Sequence, residues 1–159
     1  MNQDSRITLV TALTAERNAL RDFVGLLERE QNTLIENLTD QLLTLAEQKS
    51  AAALALTKLI DARHALLKNV LPESSSASIQ TWLQTHNAAA WPIWHEIRGL
   101  TERARQLNQS SGELIQMKLR YNKQALTVLG NAVSNANLYG PDGQPNLPNS
   151  GLGRTLGSG

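Results

Sequence analysis

The side chains best suited to metal ligation or proton transfer near neutral pH are His64, His86 and His95, and they are scattered along the chain. A di-iron or zinc site in a helical protein needs Glu-x-x-His pairs or two histidines one turn apart, and neither spacing occurs. Each histidine therefore reads as an ordinary surface or half-buried side chain. The serines between Ser74 and Ser78 follow Pro72 in a loop-like stretch without the strand-to-helix elbow that exposes a nucleophilic serine. Gly140-Pro141-Asp142-Gly143 has no strand before it and no helix after it, so it is not expected to cradle a phosphate. With no cysteine there is no disulfide, thiolate chemistry or zinc ribbon, which fits a reducing compartment. No catalytic residue, metal or cofactor is expected, and the chain is not read as an enzyme.

The remaining chemistry is that of binding. Fifteen basic against fourteen acidic side chains give a net charge of +1, too little to concentrate phosphates, so nucleic acid is not an expected partner. Arg98, Arg103, Arg105, Lys118, Arg120 and Lys123 make one stretch mildly basic, but Glu96, Glu102 and Glu113 interleave with them as on a solvated face. Trp82, Trp91 and Trp94 fall near one corner, and without a basic groove they read as plugs for the end of a core. The start Met1-Asn2-Gln3-Asp4-Ser5 lacks a signal-peptide apolar region, and the apolar run Ala51 to Leu56 is far below the ~20 residues that span a bilayer. Stable membrane insertion is not expected, and the cytoplasm is the expected location.

The elements that carry these residues are helices. Six aromatic side chains (three Trp, two Tyr, one Phe) among abundant Leu, Ala, Gln and Glu suit long helices packed through aliphatic seams and suit a sheet poorly. From Asp4 to Val70 there is no proline, and Gly25 is the one glycine. Val10, Leu13, Leu20, Val24, Leu27, Leu34 and Leu38 fall on three- and four-residue steps, interrupted by Arg17 and Gln31, and the pattern resumes at Leu42, Leu45, Ala52, Leu56 and Leu59. A single helix over this span would be ~100 Å long. Asn37 is the best place for it to fold back, its amide capping a second helix with Asp40 in the first turn. A continuous helix with a stutter at Leu38 is the alternative.

Leu71-Pro72-Glu73 ends the helical stretch. Ser76 or Ser78 can then cap a short amphipathic segment with Ile79, Trp82 and Leu83, and Pro92 suits the first turn of a long last helix. The seam of that helix reads Ile93, Ile97, Leu100, Ala104, Leu107, Ser111, Leu114, Lys118, Tyr121, Ala125, Val128 and Ala132 and is expected to pack along the whole bundle. From residue 114 onward a second apolar row, Ile115, Leu119, Leu126, Leu129 and Val133, lies one position away. Either a third helix covers it or it is left for a partner, in which case an amphipathic helix laid in a groove is the expected ligand. Residues 139–159 hold six of the ten glycines and three of the five prolines and are expected to form a mobile tail. The chain is thus read as all-α: an antiparallel bundle over residues 1–138 with coiled-coil-like seams, and a flexible Gly/Pro-rich tail.

Leu107-Asn108-Gln109 with Gly112, Leu114-Ile115, Asn122-x-Gln124-Ala125-Leu126-x-Val128-Leu129 and Leu138-Tyr139-Gly140-Pro141-Asp142-Gly143-Gln144 together resemble the FlgN family of flagellar type III export chaperones. Glu47-x-Lys49 and Trp94 also look like family positions, whereas Pro141 and the longer ending from Pro145 to Gly159 depart from the pattern. The resemblance implies that flagellar hook-associated proteins of the hook–filament junction, held by their terminal helix, and the flagellar export gate are the partners. It places the cargo contact on Leu114, Ile115, Leu119, Asn122, Leu126, Leu129 and Val133, and the gate contact on Tyr139. A structural coiled-coil scaffold that dimerises through the last helix is the alternative of a different class.

Overall fold

The computed structural model describes residues 1–73 and 75–138, leaving out the side chains of residues 137 and 138; the expected tail and Tyr139 lie outside the described residues. Four α-helices and one 3-10 turn make up the described chain, with no strand among the described residues, which is the all-α class expected. The chain divides into two compact units, Met1–Gly112 and the remainder from Glu113.

Helix α1 (Gln3–Ile35) begins where the Asn2 side-chain oxygen Oδ1 accepts from the Ser5 amide at 2.8 Å, with Asp4 in the first turn near the positive end of the dipole. The chain does fold back at Asn37, but by a different device from the one expected. Asn37 does not cap the following helix; it adopts φ 58° and closes α1. The Leu38 amide donates to the Thr33 carbonyl at 3.0 Å and the Asn37 amide to the Leu34 carbonyl at 3.4 Å, the paired bonds of a Schellman termination. Asparagine is one of the few side chains that visits the left-handed region at low cost, so this residue type suits a helix stop as well as a start. The 3-10 turn (Thr39–Gln41) carries Asp40 and leads into α2 (Leu42–Leu67), which packs antiparallel on α1.

Beyond Pro72, α3 (Ser76–His86) is capped by Ser75, whose hydroxyl accepts from the Ser78 amide at 3.1 Å, so the capping serine is one position before the expected pair. The buried Asn87 ends α3 and closes the corner: its carbonyl accepts from the Ala90 amide at 3.0 Å and its side-chain amide donates to the Arg6 carbonyl at 3.4 Å. Helix α4 (Trp91–Leu138) follows, with Pro92 in its first turn.

The core of the first unit is formed by all four helices: Leu9, Leu13 and Leu20 of α1, Leu67 of α2, Ile79 and Leu83 of α3, and Trp94 and Ile97 of α4, with Ala90 at the corner. Trp82 and Trp91 pack half-buried against it, so the tryptophans do close one end of the core. A smaller cluster joins Val24 and Leu27 to Leu107. Ion pairs set the helix directions. Lys49 Nζ lies 3.0 Å from Glu30 Oε2, and Arg63 Nε 2.9 Å from Glu16 Oε2, which runs α2 against α1. Arg17 and Arg21 meet Glu96, and Arg103 meets Glu28, which runs the first part of α4 in the same sense as α1.

The buried stripe of α1 differs from the expected seam: Leu26 and Thr33 are buried beside it, and its first half is shifted. Leu9 is fully buried and Val10 half-buried, and Glu16 takes the inward position next to the expected polar interruption at Arg17. Glu16 is inside because Arg63 meets it there, a partner 47 residues away that periodicity along α1 does not reveal.

Candidate partner-binding face

The first unit offers an open groove of ≈910 Å³ floored by Leu20 and Phe23 of α1, with Leu56 and Ile60 of α2 and Ile97 and Ala104 of α4 along its walls. Several charged groups along it have partners in or beside the groove. Arg63 bonds Glu16 and stacks its guanidinium 4.8 Å from the Trp94 ring centroid, Arg98 bonds Gln80, and Arg105 bonds Glu102 at 2.6 and 3.1 Å. The hydrogen bonds from Arg105 hold the Glu102 carboxyl below the usual carboxylate range, but both groups are exposed, and a pair in water adds little to stability. His86 stacks on Trp82 at 5.0 Å and His95 lies against Trp91 at 5.7 Å, each one helical turn from its tryptophan. Among the described residues no cluster of three or more His, Cys, Asp or Glu is placed to hold a metal ion, and no helix is long and apolar enough to cross a membrane.

The second unit presents the other kind of surface. Its described part is the α4 segment from Glu113 to Leu138, a regular helix that closes its own backbone hydrogen bonds and so leaves its side chains to do the recognition. Every large side chain of the expected cargo row is on it and in the open: Ile115 is 42% exposed, Leu119 63%, Leu126 65%, Leu129 61% and Val133 46%. Leu114 is half-buried and Asn122 exposed within the same face. Of the two expectations for this row, a third covering helix or an open face, the exposures among the described residues fit the open face. Tyr139 lies outside the described residues, so no geometry bears on it.

The seam next to this row behaves otherwise than expected. It is buried at Ile97, Leu107 and Ser111 and half-buried at Ile93, Leu100, Ala104, Leu114 and Lys118, and then opens: Tyr121 is 72% and Val128 68% exposed, and Ala125 and Ala132 are exposed too. From Tyr121 the seam therefore lies in the open beside the second apolar row, and not buried along its whole length as expected. Sequence reasoning had the residues of the seam but not their role, because a three-four step shows that a row seeks a neighbour without showing which chain supplies it. Met117, 57% exposed, is a further apolar side chain on this segment that neither row contains.

Contiguous exposed apolar faces commonly mark interaction surfaces, and this one is the candidate here. Its side chains are mostly aliphatic and aromatic, with polar Asn122 in one row and Lys118 in the other, a make-up suited to a helical partner. Comparison with known proteins bears on what that partner is. The family model described as FlgN protein matches residues 1–146. No curated protein and no solved structure matches the chain.

Proposed function

The chain belongs to the FlgN family of flagellar export chaperones, and from that premise we propose that it holds the terminal helix of flagellar hook-associated proteins in the cytoplasm, blocks their premature assembly and delivers them to the export gate. The observation that carries this reading is the open apolar face of α4 between Leu114 and Val133. A subunit waiting for export has an apolar terminal helix that must be kept from water and from other copies, and a helix face with exposed leucines supplies the complement. FlgN is a chaperone family and not an enzyme family, and a holding function needs no catalytic group. Tyr139, next to the end of α4, is proposed as the gate contact, in line with the Leu138-Tyr139-Gly140 run of the family resemblance.

The test is to mix the purified chain with unpolymerised hook-associated proteins and follow co-elution. Leu119→Asp with Leu126→Asp abolishes the complex while the helical circular dichroism signal survives, since neither side chain is buried in the free protein. Co-elution with none of the junction proteins sinks the reading, and binding that persists in the double variant removes the face from it. The second reading, a scaffold that dimerises through α4, draws on the same open face. Sedimentation separates the two, because a tight, concentration-independent dimer that buries residues 115–133 favours the scaffold.

A further inference from the structure

Helix α4 runs through the boundary between the two units without a break, yet the turn at that boundary is built from poor helix formers. Asn108-Gln109-Ser110-Ser111-Gly112 holds an asparagine, two serines and a glycine, and the first unit ends at Gly112. Packing does not ask for a glycine there, since a Cβ on Gly112 would meet no atom within 4 Å. Gly25 and Gly99 have the same room, but buried Val24 and Leu26 flank the first, and the second lies between buried Ile97 and half-buried Leu100. Gly112 has such support on one side only: Ser111 is buried before it, and from Gly112 to Leu129 no residue is buried.

Ser111 adds a second, independent observation. The residue is 1% exposed, and its Oγ has no hydrogen-bond partner among the described residues. Thr101 and Thr127 of the same helix donate back to the carbonyls of Ile97 and Lys123 at 2.8 and 3.0 Å, so the equivalent acceptor for Ser111 is the Leu107 carbonyl, one turn back. A serine bonded in that way bends its helix, and serine next to glycine is one of the few sequences at which helices kink. The buried hydroxyl therefore costs free energy in the regular helix that a bend recovers.

We propose that Ser111-Gly112 is a hinge in α4, at which the helix opens its hydrogen bonds and bends while the core of the first unit stays closed. Buried Ile97 and Leu107 precede the hinge and exposed Leu119, Leu126 and Leu129 follow it, so a bend redirects the apolar rows without unpacking the core. The hinge does not depend on what binds the second half.

The experiment uses the full chain. It contains no cysteine, so a pair introduced by mutation takes spin labels at two known positions. Gln106→Cys with Lys123→Cys puts labels on exposed positions about 25 Å apart along the helix, one on each side of the hinge. The distance distribution in the otherwise wild-type chain is broad or two-peaked, and adding Ser111→Ala with Gly112→Ala makes it single and narrow. The same alanine pair slows hydrogen exchange of the Glu113 to Gln116 amides, whose bonds span the hinge, about tenfold, the factor for replacing a glycine and a serine by alanine in a helix. Gly99→Ala, with equal room inside the packed unit, leaves both readouts unchanged. A narrow distribution without the alanines overturns the hinge. So does an equally broad one for Gln116→Cys with Asn131→Cys, both within the second half, because that means fraying and not a bend. Breadth that survives Ser111→Ala with Gly112→Ala also overturns it. Cargo takes no part in these readouts, so each of these failures leaves the chaperone reading standing.

Discussion

Glu16 and Arg63 show how a single residue can decide the packing of a helix. The Glu16 carboxylate is 2% exposed and Arg63 8%, and the pair is joined at 2.9 Å with the Trp94 ring 4.8 Å from the guanidinium. Two charges taken out of water contribute little net stability, but removing one leaves the other uncompensated. Glu16→Ala is therefore expected to lower the unfolding free energy by about 3 to 5 kcal/mol, and Glu16→Leu with Arg63→Met to restore most of it, both read by urea denaturation. A loss under 1 kcal/mol for Glu16→Ala would show that water reaches the pair. Asn37 makes a conformational claim of the same sort. At φ 58° a glycine is unstrained and a β-branched residue is not, so Asn37→Gly should leave the midpoint nearly unchanged while Asn37→Val costs about 1 to 2 kcal/mol. Equal midpoints for the two variants would contradict the left-handed termination.

At the scale of elements, α4 joins two environments with one unbroken periodicity. Up to Ser111 its seam is buried or half-buried, whereas Ile115 and the second row, and the seam from Tyr121, face solvent. A helix without tertiary packing opens at low free-energy cost, so amides of residues 115–133 should exchange faster than those of residues 94–107 by at least two orders of magnitude. Equal protection along the helix would mean that the rows are covered in solution. Ser75→Ala removes the cap of α3 and is expected to cost about 1 kcal/mol by thermal or urea unfolding, with Ser76→Ala near neutral. Most of the elements were legible in the sequence: the fold-back at Asn37, the break at Pro72, the short third helix and the start of the last one. What was not legible has physical causes. Asparagine serves helix starts and helix stops alike, so its position was readable and its mechanism was not. Glu16 was missed because its reason for being inside lies on another helix. The open half of α4 was half-readable: the row Ile115 to Val133 stood out as surplus, whereas Tyr121 and Val128 looked like an ordinary bundle seam until their exposure separated them from it.

At the scale of the whole molecule, the division of labour is between a packed first unit with an aliphatic core and a second unit whose described helix leaves its apolar side chains in water. Keeping Leu119, Leu126 and Leu129 exposed forgoes burial that each could gain at about 1.5 to 3 kcal/mol, burial that the proposed cargo would supply. Because that face adds little to the packing of the first unit, its variants should separate holding from folding. The central claim is that cargo is held by this face, and the most direct measurement is a calorimetric titration of unpolymerised hook-associated protein into the wild-type chain and into Leu119→Asp with Leu126→Asp. The account predicts binding to the wild type, at least a hundredfold weaker or undetectable heat with the variant, and the same thermal unfolding midpoint for both. Equal affinity for the two chains would contradict it.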